Sequence, residues 1–97
     1  MTARLEPSQH SGSRDHARDL VAGLPSDMAG VSVILDCSHL VVGTPSFVDE
    51  IVKEVLLLRQ ADGLELTGSS ARVATLAQRS AANRGVADRL SVAARTA

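Results

Sequence analysis

The chain has no tryptophan, no tyrosine and one phenylalanine, Phe47. Its core must therefore be made of Val, Leu, Ile and Ala, and the aromatic platforms on which single-stranded nucleic acids stack are missing. It also lacks a Lys/Arg cluster, and its formal net charge is −1. No phosphate-tracking surface is expected, and nucleic acid is excluded as the expected partner. Cysteine occurs once, at Cys37, so no internal disulfide can form. There is no apolar signal segment and no run near the roughly 18 apolar residues of a membrane span, which makes the cytoplasm the default compartment and excludes a membrane partner. What is present is 44% hydrophobic residues in a 97-residue chain, enough for one folded domain with modest stability to spare.

The organising stretch is 31–52, VSVILDCSHLVVGTPSFVDEIV. Val31, Val33, Ile34 and Leu35 are an apolar, β-branched run too short for a helix, the pattern of a strand covered on both faces. Asp36 ends it, and Leu40, Val41 and Val42 can pair as a second short strand. The turn Gly43-Thr44-Pro45-Ser46 then opens a helix with two possible starts. Thr44 can cap with Pro45 at the first helical position, or Ser46 can cap facing Asp49. Phe47, Ile51, Val55 and Leu58, flanked by Val48, Val52 and Leu56, form the apolar face; Asp49 and Glu50 complement the positive end of the helix dipole.

Residues 1–12 mix Pro, Ser, Gln, His and Gly without periodicity and read as a flexible leader. Ala17, Leu20, Val21 and Leu24 make one helical stripe from about Ser13, stopped by Pro25. Leu64-Glu65-Leu66-Thr67 alternates as a short strand, placed near the sheet edge. Ser69 and Ser70 open a third helix to about Asn83, carrying Val73, Leu76, Ala77 and Ala81 inward, and Gly85 stops it. One further turn over 86–89, a last strand at Leu90-Ser91-Val92 and a frayed tail at 94–97 complete the chain. The expected fold is α/β: a single small domain over 13–93, with a mainly parallel sheet of about four short strands and three helices.

Residue types that could carry chemistry are few and scattered along the chain. His10, His16 and His39 show no metal-ligand spacing with one another or with Cys37, and no metal or other cofactor is expected. Cys37, just after the first strong strand, reads as a small core hydrophobe. Asp36 reads as a turn-former bonding the backbone around Ser38. Asp49 and Glu50 are adjacent, so on a helix they diverge by about 100° and cannot act as an acid/base pair on one substrate. Thr44 and Ser46 are first of all caps.

The order strand, Asp36-Cys37-Ser38, apolar residues, Thr44-Pro45-Ser46-Phe47, Val48-Asp49-Glu50-Ile51 resembles the STAS-like family of unknown function. That family's pattern reads roughly D-F-S-G-V, then S-S-S-F-A-D-E-L. It is a relative of the STAS domains of anti-sigma-factor antagonists, which read D-L-S-G-V, then D-S-S-G-L. Ser46, Phe47, Asp49 and Glu50 coincide with the S-F-x-D-E version, and Ser13-Arg14 also fits; Cys37 and His39 depart from it. Pro45 stands where the antagonists carry their phosphorylated serine, and Thr44 where they carry the preceding Asp, leaving Thr44 and Ser46 as the hydroxyls on either side. The resemblance implies a non-enzymatic regulatory interaction domain, with a histidine-kinase-like ATPase or an anti-sigma factor as partner. Thr44, Ser46, Asp49 and Lys53 are then its contact surface, and Ser46 or Thr44 its phosphoacceptor. The competing expectation is a small-anion or nucleotide site in a crevice between Asp36 and Gly43–Ser46, although neither a P-loop nor a dinucleotide fingerprint is present.

Overall fold

The computed structural model describes residues 1–94. Four strands form one fully parallel sheet: β1 (Thr2–Leu5), β3 (Ser32–Asp36), β5 (Gly63–Ser69) and β6 (Leu90–Ala94), in the order β1-β3-β5-β6. A two-stranded parallel pair, β2 (His10–Ser11) with β4 (Val42–Gly43), sits apart from it. Helices α1 (Arg14–Val21), α2 (Pro45–Val52) and α3 (Ala71–Asn83) supply the crossovers, and α2 packs between the other two. The strand order never reverses. Right-handed crossovers that always step in the same direction lay every helix on the same side of the sheet. The result is two layers with α2 at the centre, and the fold class expected from the sequence.

One-sided coverage corrects the reading of β3 as a strand buried on both faces. Val33 and Leu35 point into the core, whereas Ile34 and Asp36 are only half-buried and Ser32 is exposed. The uncovered face carries Thr2, Ser32, Ile34, Gly63, Glu65 and Ser91 around a shallow hollow. The apolar residue that suggested two buried faces is thus Ile34 alone.

The expected flexible leader is also corrected. Thr2–Leu5 pairs with Ser32–Leu35 in parallel register, with Leu5 opposite Leu35 and buried. Thr2 and Arg4 are exposed while Ala3 and Leu5 turn inward, the period-2 alternation of a strand with one wet face. Four residues are too few for that pattern to stand out, and β3 supplies the template. This pairing makes Thr2–Leu5 part of the domain's sheet. At the other end, Ala94 closes β6, and the rest of the expected tail, 95–97, lies outside the described residues. β5 is interior, between β3 and β6, rather than near the edge; its half-buried Glu65 faces the open side, which is why its alternation resembled an edge strand.

Helix starts and stops follow local chemistry. Ser13 Oγ accepts from His16 N–H at 3.1 Å and Ser70 Oγ from Val73 N–H at 3.2 Å, each satisfying one orphan donor. At the end of α3, Gly85 takes φ +73°, the left-handed conformation that stops a helix at little cost to glycine. The apolar face of α2 holds through Phe47, Val48, Ile51, Val52, Val55 and Leu56, all buried. It fails at Leu58, which is 56% exposed. The reason is a widened π-helical turn over Lys53–Leu58, closed by Arg59 N–H to the Glu54 carbonyl at 3.1 Å. A π turn fits more residues per revolution than an α turn, so Leu58 no longer returns to the stripe of Phe47 and Ile51.

Cys37 is fully buried, its Sγ 3.7 Å from the Leu35 carbonyl. Alkylation in the native state is therefore expected to be slow, limited by opening of the domain, and fast after denaturation. A mass-spectrometric time course that gave equal rates in both states would place the thiol at the surface.

Candidate functional site

The segment from Leu40 to Ser46 is anchored by backbone hydrogen bonds and close packing although much of it faces water. The Val41 and Val42 amides both donate to the Gln9 carbonyl, at 2.9 Å each. Gly43 is buried against two side chains, and a Cβ there would meet Leu40 Cδ2 at 3.0 Å and Val73 Cγ2 at 3.3 Å. The chain passes so close that only glycine fits without displacement. These anchors turn the two valines outward: Val41 is 71% exposed and Val42 46%. Thr44 Oγ1 accepts from Phe47 N–H at 3.2 Å with Pro45 at the first helical position, which selects the Thr44 start over the Ser46 start. Thr44 is therefore half-buried and engaged as the cap, whereas Ser46 presents its hydroxyl in the exposed first turn.

Asp49 and Lys53, expected on an exposed contact flank, are placed otherwise. Asp49 accepts from Ser80 Oγ at 2.6 Å, from Arg84 Nε and Nη2 at 2.9 and 2.8 Å, and from Arg14 Nη1 at 2.9 Å. Glu50 has no exposed side-chain surface and meets Arg14 Nη1 and Lys53 Nζ at 3.0 Å each, and Arg18 Nε at 3.3 Å. The two adjacent carboxylates diverge as expected, so α2 holds α3 with one and α1 with both. Arg84 hydrogen bonding, helped by Ser80 and Arg14, outweighs burial and holds the Asp49 carboxyl well below the usual carboxylate range. At Glu50 burial is the largest influence and pushes the pKa up, but the Lys53 and Arg14 hydrogen bonds together with the charges of Lys53 and Arg18 bring it below the ordinary value. A side chain with four such bonds inside its own domain is a clamp, not a docking group. The S-F-x-D-E spelling gave no sign of this, because every partner except Lys53 lies more than thirty residues away in sequence.

Asp36 performs the turn chemistry expected of it, accepting from Ser38 N–H at 3.0 Å. Its other oxygen takes Arg4 Nη2 at 2.6 Å. The Ser38 hydrogen bonds, with a contribution from Arg4, lower its pKa. The hollow beside Gly43 and Thr44, of about 220 Å³, is lined by Val41, Val42, Ser70, Arg72 and Val73, without Asp36. This hollow is therefore not the crevice expected between Asp36 and Gly43–Ser46. The strand order also has no reversal, the feature at which open α/β sheets commonly bind ligands. His10 and His39 are exposed, and His16 Nδ1 accepts from Gly12 N–H at 3.3 Å. Among the described residues no three His, Cys, Asp or Glu side chains are grouped as metal ligands would be, and no helix is long and apolar enough to cross a membrane.

Fold and site together define a two-layer α/β domain with an anchored, partly apolar loop at the entry to its central helix. Comparisons with protein-family models, with curated proteins and with solved structures return no match.

Proposed function

We propose that this domain is a non-enzymatic regulatory interaction module of the STAS-like kind, binding a histidine-kinase-like ATPase or an anti-sigma factor through the loop 41–46. The observation that carries the proposal is the pair of adjacent valines held in solvent beside the exposed Ser46. Their backbone is fixed by the bonds to Gln9 and by the Gly43 contact, so little conformational entropy is lost when a partner covers them. Small apolar groups ringed by hydroxyls suit the centre of a modest protein interface. Asp49 and Lys53 support this surface from within by holding α2 in place.

Ser46 is the phosphoacceptor this reading favours, since Thr44 is engaged in capping. The matching substitution is Ser46→Asp. The added charge lies at the positive end of α2, and the nearby Asp49 and Glu50 are already paired with arginines and a lysine. The melting temperature is therefore expected to stay nearly unchanged. Partner affinity is expected to fall about ten-fold or more, because the new charge must be desolvated on binding. Pull-down from the native host, followed by titration of the captured protein against wild type and variant, tests this. Unchanged affinity would remove Ser46, and the switch it would carry, from the interface.

A further inference from the structure

Of the nine lysines and arginines in the described residues, seven have partners. Arg4, Arg14, Arg18, Lys53, Arg59 and Arg84 meet carboxylates, and Arg89 donates to the Ala61 and Leu56 carbonyls at 2.7 and 2.9 Å. The two without a partner among the described residues are Arg72 and Arg79, both exposed. They are not scattered. Both lie on α3 seven residues apart, with Leu76 between them, so the three share one flank of the helix. That flank faces α2: Arg72 borders the hollow that contains Val41 and Val42, and Leu76 and Arg79 border a second hollow of about 260 Å³ that runs to Pro45. The one carboxylate in that second lining, Asp49, is already held by Arg84, Arg14 and Ser80.

We infer that this flank receives an acidic amphipathic segment of a protein partner, its aliphatic side chains seated along Val41, Val42 and Leu76 and its carboxylates paired with Arg72 and Arg79. The inference rests on the loop 41–46 being a docking surface and specifies what docks there. The complementarity is of charge and shape together: an apolar strip, two unengaged guanidiniums about two turns apart, and no free acid beside them. Guanidinium suits this task because its planar fork takes a carboxylate through two parallel bonds. A lipid surface fits less well. Two cations give only a weak attraction to an anionic membrane, and the exposed apolar surface beside them is limited to Val41 and Val42 with half-buried Leu76.

The test is an NMR titration of the intact protein with a synthetic helix-forming peptide that presents leucines along one face and glutamates beside them. Shifts are expected at Val41, Val42, Leu76 and the Nε–H groups of Arg72 and Arg79, while the Arg84 Nε–H stays put. Arg72→Gln and Arg79→Gln should each weaken binding about five-fold, and the pair more than ten-fold, with melting temperatures unchanged because neither side chain holds the fold together. The same peptide with lysine in place of glutamate should not bind. Equal binding of the lysine peptide, shifts confined to the open sheet face, or equal affinity in the double variant would overturn the inference. So would saturation of the same shifts by inorganic phosphate alone, or binding to phosphatidylserine vesicles but not to the peptide. The two readings fail separately. A partner lost on Ser46→Asp but indifferent to both arginines sinks only the acidic-segment inference; a peptide bound through Arg72 and Arg79 alongside an inert Ser46 sinks only the loop switch.

Discussion

Phe47→Ala is expected to lower the unfolding free energy by about 3–5 kcal/mol. Phe47 is the only Phe, Tyr or Trp in the chain and among the largest fully buried side chains, 1% exposed at the first turn of the central helix. It lies in a core of otherwise small aliphatic groups, packed with Ala17, Val21, Ile51 and Val33 in one continuous cluster. Alanine leaves a void that β-branched neighbours, stiff about χ1, refill poorly. A domain of this size has only about 5–15 kcal/mol to lose, so the substitution removes a large part of its stability. Urea unfolding followed by circular dichroism measures it. A midpoint within experimental error of wild type would mean that the start of α2 is packed differently.

Asp49→Asn is expected to cost about 2–3 kcal/mol at neutral pH, second only to Phe47→Ala. The substitution keeps the shape but removes the charge that Arg84 and Arg14 share, leaving two guanidiniums and the Ser80 hydroxyl with a weaker acceptor. It also changes the acid limb of stability. The folded-state pKa of Asp49 is depressed, so its contribution is fully present above the ordinary carboxylate value of about 4. It is lost progressively as pH falls below that value toward the folded-state pKa. Glu50 is shifted in the same direction and adds to the effect. Wild type should therefore lose stability steeply between about pH 4 and pH 2, and Asp49→Asn should show a shallower slope there and its largest deficit at neutral pH. Parallel stability curves for the two proteins at all pH values would show that Asp49 is not the group responsible.

Arginine 84 is the partner through which this clamp reaches α3, and its placement illustrates what local pattern cannot report. The helix around it was legible: Ser70 as cap, Val73, Ala77 and Ala81 inward, and Gly85 as stop all follow from hydrogen-bonding chemistry within a few residues. The Asp36 turn and the burial of Cys37 were legible too, whereas the Thr44-Pro45 start of α2 was one of two that the sequence allowed. That Arg84 and Ser80 would converge on Asp49 depends on the side-by-side packing of α2 and α3, which no spacing along the chain encodes. Arg72 and Arg79 drew no attention as a spacing on the third helix; they stand out only because the other described cations are already engaged.

The sequence by itself therefore determined the class of fold, the order of the later strands and helices, and the chemistry of their ends, because each depends on short-range periodicity and on backbone groups that near neighbours must satisfy. Tertiary structure alone decided three things. It recruited Thr2–Leu5 into the sheet, since four residues become a strand only beside a template such as β3. It left one sheet face open, since the side on which helices fall depends on strand order as well as crossover handedness. It turned Asp49 and Glu50 from a helix-start signature into the clamp joining three helices, because the stabilisation of a buried or half-buried carboxylate depends on which cations the fold brings within hydrogen-bonding distance.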